Sequence, residues 1–414
     1  MKKSQTLTYY ITVAFCLCAV QLFSFKFISE DMWQLIDDAV ICLLLIQVFA
    51  FGIMRSGKKK LFYNEVLLLM LIPFFSAISA YVYHGQSWQE TFLAARPCLL
   101  LLFYFYVRKK DLSIEKIESI IVNFGLIVSA ILIIQALIYP TVYFQQQKEQ
   151  DLFEEREGIV RIFIQDPLYI VFALFFLANR LFTELKIRDI ALFAFCMAGI
   201  FFTGTRQVIF SSVGVLFLFF LTSLNFRSRK AYRLLFLVVA FLGVFFYSGG
   251  SKYIDKLITL TNEQQVTNND YIRIQEANFY FNTYMPSGLA YVIGNGYQYG
   301  ASKYGKEIYQ LEQDQGLYRS DVGLIGALNM FGLIYLIPIG IIFYKVFRSK
   351  LVERRFYKFF FLYVILTAFT GSNYFLLPWT FTLVFLLLNN VEKLITEKEP
   401  VNEPDLLMNK PVLN

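Results

Sequence analysis

Histidine is almost missing from this chain: among 414 residues only His84 carries an imidazole. A Cys/His zinc site is therefore excluded, and so is a histidine base inside the long polar segment that follows residue 248. Cysteine is also scarce. Cys16, Cys18, Cys42, Cys98 and Cys196 form no CxxC pair. Each lies in an apolar run, where a thiol behaves as a small apolar group, and Cys16 and Cys18 would point to different sides of a helix. A disulfide framework is not expected. The glycine-rich "GNGYQYG" (294–300) lacks GxGxxG spacing, which excludes a dinucleotide fold. The polar segment 141–167 is acidic in its middle, but no DxD or carboxylate-rich metal site is evident in the polar segments, so neither a metal nor a cofactor is expected. No solenoid period or low-complexity tract is present. Met1-Lys2-Lys3 precedes an apolar run of spanning length with no small-residue cleavage site, which argues against a secretory signal.

Apolar surface, by contrast, is abundant. Hydrophobic residues make up 57% of the chain and aromatic ones 18%, including 46 Phe and 27 Tyr, more than one soluble core of this size would hide. Crossing about 30 Å of hydrocarbon takes about 20 residues, and by that measure the chain divides into about twelve runs. They cover 7–28, 35–54, 61–83, 91–107, 117–139, 167–185, 189–204, 207–225, 232–248, 321–345, 356–371 and 375–391. The expected fold is an all-α integral membrane protein. Residues 1–248 hold spans one to nine, 249–320 form a large, partly helical outer loop, 321–391 hold spans ten to twelve, and 392–414 form a charged tail.

Lys and Arg collect in short loops that stay in the cytoplasm. With the amino terminus inside, the inner loops gather "RSGKKK" (55–60), "RKK" (108–110), "KIR" (186–188), "FRSRKAYR" (226–233) and "KVFRSKLVERR" (345–355). Both termini are then cytoplasmic. The net charge of +7 reports topology, and no nucleic-acid partner is expected.

Under this topology "TGTR" (203–206) is the outer turn between spans seven and eight, which puts Arg206 on the side where basic residues are unusual. It either snorkels to the interface or holds an anion at the start of a helix, where free N–H groups and the helix dipole favour phosphate. Arg96, Arg161, Arg273 and Arg319 fall on the same side. Together they could line a basic mouth rich in tyrosine, whose flat rings suit sugars and whose hydroxyls suit hydrogen bonds. Within the large loop, "DYIRIQEANFYFNTYM" places Ile274, Ala277, Phe281 and Met285 at helical spacing. Pro286 and Gly288 end that helix. Asp321, where the loop re-enters the membrane, is read as a helix cap on span ten or as a functional acid. Gly323, Gly326 and Gly332 after it suggest close helix packing. His84, in "YHGQSW", is read as a surface residue at the interface.

The "TGTR" turn, the late outer loop carrying "DYIRIQEA" and "YVIGNGYQYG", and the Asp and glycines entering the next span resemble the O-antigen polymerase and ligase superfamily. The resemblance is to its Wzy-type repeat-unit polymerases. It implies a metal-independent membrane glycosyltransferase of the bacterial inner membrane, acting on undecaprenyl-pyrophosphate-linked oligosaccharides at the outer leaflet. A growing O-antigen or capsular glycan would be cut from its carrier and joined to the next lipid-linked repeat. By that resemblance Arg206 and Arg273 hold the leaving pyrophosphate and Asp321 joins them as a catalytic residue. Arg96, Arg161, Arg319, Gly294, Gly296 and Tyr297 contact substrate. A chain-length regulator and a flippase are further candidate partners. Ligases of the superfamily carry a functional histidine in the large loop; its absence here favours polymerase. For the proton of the acceptor hydroxyl, Glu276, Glu312, Asp314 and Asp321 are candidates by location. A ligase-like transferase and a lipid-linked oligosaccharide flippase are the alternatives; a flippase would need charged or broken helices near the middle of the membrane.

Overall fold

The computed structural model describes residues 2–19, 29–52, 54, 61–141, 143, 153–156, 159–162, 167–223, 272–369 and 381–396. Apart from one short hairpin, Phe153–Arg156 paired antiparallel with Ile159–Ile162, these residues are helical or in turns. The apolar stretches Tyr63–His84, Trp88–Lys110, Ile114–Leu137 and Arg206–Ser223 are long enough to cross a membrane. The chain is a helical membrane protein. Thr6–Cys18, Leu168–Thr183 and Phe356–Ala368 are shorter apolar helices. Span nine of the expected topology, 232–248, lies outside the described residues, as do the basic segments 55–60 and 226–233.

Helices α1 (Lys2–Ala19) and α2 (Glu30–Phe51) flank the first long span, which divides into α3 (Tyr63–Phe75) and α4 (Ala77–His84). The next divides into α5 (Trp88–Ala95), a 3-10 segment Arg96–Leu101, and α6 (Leu102–Lys110). Then α7 (Ile114–Leu137), α8 (Leu168–Thr183) and α9 (Ile187–Phe202) pack together, and α10 (Arg206–Ser223) lies against α16 (Phe356–Ala368). The aromatic surplus fills the spaces between them: Phe172 on α8 sits 5.5–5.7 Å from the rings of Phe356, Tyr357 and Phe360. Helix α17 (Phe381–Thr396) runs beside α6.

At the end of the bundle that carries the basic loops, buried carboxylates clasp the helices. Arg108 pairs with Glu392 at 3.0 Å, with side chains only 8% and 7% exposed, and the Tyr104 hydroxyl donates to the same carboxylate at 2.8 Å. Lys345 pairs with Glu65 at 2.7 Å, and Arg354 with Glu118 at 2.9 Å. Removing one partner of such a pair leaves an uncompensated buried charge. Glu392→Ala is therefore expected to cost about 3 kcal/mol, read as a lowered unfolding temperature in detergent; a change under about 0.5 kcal/mol would mean that the pair is screened as a surface pair is.

At the opposite end, three spans are interrupted at matching positions. The piece at this end is eight residues long in each: α4, α5 and α14 (Leu324–Phe331), or about 12 Å of helix. The first interruption, at Ser76, is slight: its dihedrals stay helical and its N–H and C=O keep their bonds to Ile72 O and Ala80 N–H. Pro97, which lacks an amide proton, stands near the start of the 3-10 segment. The third break is Gly332, extended at φ 74° and ψ 177°, between α14 and α15 (Leu333–Arg348). Span ten was expected to be continuous, and here it is not.

Candidate functional site

Residues 272–323 fold onto two of these pieces, α4 and α14. Helix α11 (Ile272–Asn278) continues into a wider π-type turn, Phe279–Thr283. Helix α12 (Gly288–Ile293) packs on α14 and α15, and α13 (Lys303–Gln315) packs on α4. A 3-10 turn, Arg319–Val322, leads back into α14.

Two broken backbones cross at the base of this cap. Asn295 and Gly296 donate their N–H groups to the carbonyls of Asn329 and Met330, each at 2.8 Å. Gly294 and Gly332 both hold positive φ, and each packs its Cα against the other strand: a Cβ would lie 2.2 Å from Met330 O in one case and 2.1 Å from Val292 O in the other. The Ser76 hydroxyl, at the slight interruption of the first span, donates to Ile293 O at 2.5 Å. Backbone groups freed by the breaks thus partner one another, which is the condition for irregular backbone at membrane depth. Gly294 and Gly296, expected to contact substrate, occupy this crossing. Tyr297 beside them packs 5.3 Å from the Phe331 ring.

Above the crossing sits Arg319, 2% exposed. Its Nη1 donates to the Tyr304 hydroxyl at 3.1 Å and to Asn329 Oδ1 at 3.4 Å. The guanidinium lies 5.7 Å and 6.0 Å from the ring centres of Tyr304 and Tyr280. Its Nη2 is buried and has no hydrogen-bond partner among the described residues. Tyr280 donates to Leu317 O at 2.6 Å and Tyr284 to Glu307 Oε1 at 2.8 Å. Burial pushes the Tyr280, Tyr284 and Tyr304 hydroxyls above the ordinary phenol range, so they are neutral donors.

His84 belongs to this cluster, which corrects its reading as a surface residue. Its ring stacks on Tyr304 at 4.1 Å and lies nearly parallel to Tyr284 at 5.6 Å. Its Nε2 is buried without a hydrogen-bond partner among the described residues, as is Asn295 Oδ1. The adjacent Gln86, wholly buried, makes four side-chain bonds, three of which tie the α4–α5 turn to the cap. It donates to Thr91 Oγ1 and Tyr297 O, and accepts from Tyr299 N–H and the Ser302 hydroxyl, all at 2.8–2.9 Å. Neither residue carried a local sequence signal, because their partners lie about two hundred positions away.

A carboxylate completes the arrangement. Glu276 on α11 is 1% exposed; its Oε1 accepts the Tyr318 N–H at 3.0 Å, and its Oε2 is buried with no partner among the described residues. Burial, reinforced by the charge of Asp321, raises its pKa to about 7 against the opposing effects of the Tyr318 amide and Arg273. Helical spacing had marked Ile274 and Phe281 for burial, but they are 65% and 41% exposed. The inward face of this segment instead carries Glu276 and Tyr280, one helical turn apart, with Ala277 packed beside Tyr280 and Met285 buried as the spacing had it.

The cap therefore brings Arg319, Arg273, Asp321 and Glu276 into one electrostatic neighbourhood. Asp321 does not cap α14, whose preceding residue is Gly323 with no side-chain cap; its Oδ1 accepts from the Ser320 hydroxyl at 3.3 Å. Arg96 sits apart from that group, ion-paired with Asp38 at 3.0 Å. Arg206 is half-buried at the first residue of α10, after a turn in which Gly204 holds φ 60°. Arg161 lies on the hairpin strand Ile159–Ile162, in register with Glu154. No protein-family model matches this chain, and no curated protein matches it in sequence.

Proposed function

We propose that the chain is a membrane glycosyltransferase that polymerises oligosaccharide repeats carried on undecaprenyl pyrophosphate. The reading places it in the bacterial inner membrane with twelve spans, both termini cytoplasmic and the cap at the outer leaflet. The observation that carries it is the buried Arg319 guanidinium, held among tyrosines under the cap with one nitrogen unpartnered among the described residues. A fixed cation beside neutral hydroxyl donors suits a diphosphate leaving group and the sugar attached to it. The diphosphate is already an activated leaving group, so stabilising its developing charge needs donors and cations rather than a metal. Arg206 and Arg273 remain the proposed partners of the pyrophosphate, with Asp321 beside them.

Two observations favour the alternatives in part. The only imidazole lies directly beneath the loop, which bears on a ligase. Three spans are interrupted, which bears on a flippase; against that, the backbone groups at the Gly294–Gly332 crossing are engaged with one another.

Profiling lipid-linked glycans with and without the gene separates the three. Loss of the polymerase leaves single repeats on the carrier or its acceptor while long chains vanish. Complete polymers accumulating on the carrier would point to a ligase, and repeats trapped on the inner leaflet to a flippase. Arg206→Ala and Arg273→Ala should each abolish long chains while the protein inserts at normal levels. Wild-type chain length in both would end the pyrophosphate role of these residues.

A further inference from the structure

We propose that Glu276 is the acid–base residue of this transfer, its Oε2 taking the proton of the acceptor hydroxyl as that oxygen attacks the anomeric carbon. The assignment rests on the transferase reading above. In the step, the acceptor O–H bond breaks and its oxygen forms the new bond to the anomeric carbon. The bond from that carbon to the diphosphate oxygen breaks, and its electron pair leaves with the carrier diphosphate. The proton passes to the Glu276 carboxylate and then to solvent or to the departed diphosphate.

Four candidate carboxylates were open on sequence grounds, and geometry separates them. Asp314 is exposed on α13. Asp321 is half-buried, with its neighbour Ser320 donating to it. Glu312 is also half-buried. Only Glu276 combines near-complete burial with one oxygen anchored and the other unpartnered among the described residues. The anchor fixes the side chain's rotamer, leaving Oε2 as the reactive atom. Arg273 lies one turn away on the same helix, so base and anion-binding group share one rigid element. The second observation that points to a ligand is Arg319, likewise buried with an unpartnered nitrogen.

The groups facing Glu276 set its proton affinity. They are the Tyr318 amide, Asp321 on the 3-10 turn and Arg273 on its own helix; Tyr280, on the following turn, feels the Glu276 charge together with those of Arg319 and Glu312. With a pKa of about 7, the carboxyl is poised to take up and release a proton near neutral pH.

Full-length protein reconstituted with an undecaprenyl-pyrophosphate-linked oligosaccharide tests this. Glu276→Gln keeps an oxygen to accept the Tyr318 N–H but cannot take a proton; kcat is expected to fall by about 100-fold or more, with an unchanged melting curve. The wild-type rate should rise with pH through about 7 as the carboxyl deprotonates. That limb should vanish in Glu276→Gln and persist at reduced rate in Glu276→Asp. Wild-type turnover in Glu276→Gln, or a surviving pH limb in that variant, would overturn the assignment. Absence of transfer by the wild-type protein would instead remove the transferase reading and the Glu276 role with it.

Discussion

Gly332→Ala and Gly294→Ala are each expected to destabilise the protein by about 3–6 kcal/mol, summing backbone strain and overpacking. Both residues hold positive φ, so any side chain is strained before packing is considered. Each new Cβ would also meet a carbonyl oxygen at 2.1–2.2 Å, and that oxygen belongs to backbone that cannot swing aside. The affected carbonyls flank the paired N–H bonds of Asn295 and Gly296, so relief by movement would break those bonds. The loss should appear as a lower unfolding temperature in detergent and a smaller folded fraction. Gly300→Ala and Gly340→Ala are the controls, since nothing lies within 4 Å of either added carbon. If all four variants melted alike, the crossing would not be the tight joint described.

The second large effect falls on activity. Arg319→Lys is expected to lower polymer formation by about 100-fold or more, while stability changes by about 1–3 kcal/mol for the bonds lost. A guanidinium presents a planar fork that reaches Tyr304 and Asn329 together and lies near the Tyr280 and Tyr304 rings. An ammonium supplies charge without that plane and is more strongly hydrated, so it is a poor tenant of this buried place. Arg319→Met completes the series by removing the charge while keeping much of the volume. Normal chain length in both variants, measured on lipid-linked glycans, would reduce Arg319 to a packing post for the cap.

Much of the bundle was legible because long apolar runs have few alternatives to membrane helices. The "TGTR" turn separates two helices, as the apolar runs on either side of it had it, between Phe202 and Arg206. Arg319 was singled out for its side of the membrane, although its burial was not foreseen. What escaped sequence reading shares one cause: it depends on contacts between distant segments. Pro97 is a visible signal for the 3-10 segment, yet nothing local says that Ser76 would reach the Gly294–Gly332 crossing. Gly332 does pack closely, against Val292, as the close-packing reading had it, but it also breaks the helix, which that reading did not include. The carboxylates Glu65, Glu118 and Glu392 look like ordinary charges at span ends until their basic partners appear beside them. The inward face of α11 carries the polar Glu276, which an apolar period cannot mark.

Gln86 carries a consequence for biosynthesis. Its amide is saturated by Tyr297, Tyr299 and Ser302, which leave the ribosome some two hundred residues after it does. Until then a polar group destined for complete enclosure must wait against water or lipid headgroups. The α4–α5 hairpin can insert early, but its tip matures only when the last third of the polypeptide arrives. Severing the coding sequence between α10 and α11 and supplying both fragments in one cell would recreate that wait, with recovery of function limited by how readily the late fragment finds this glutamine.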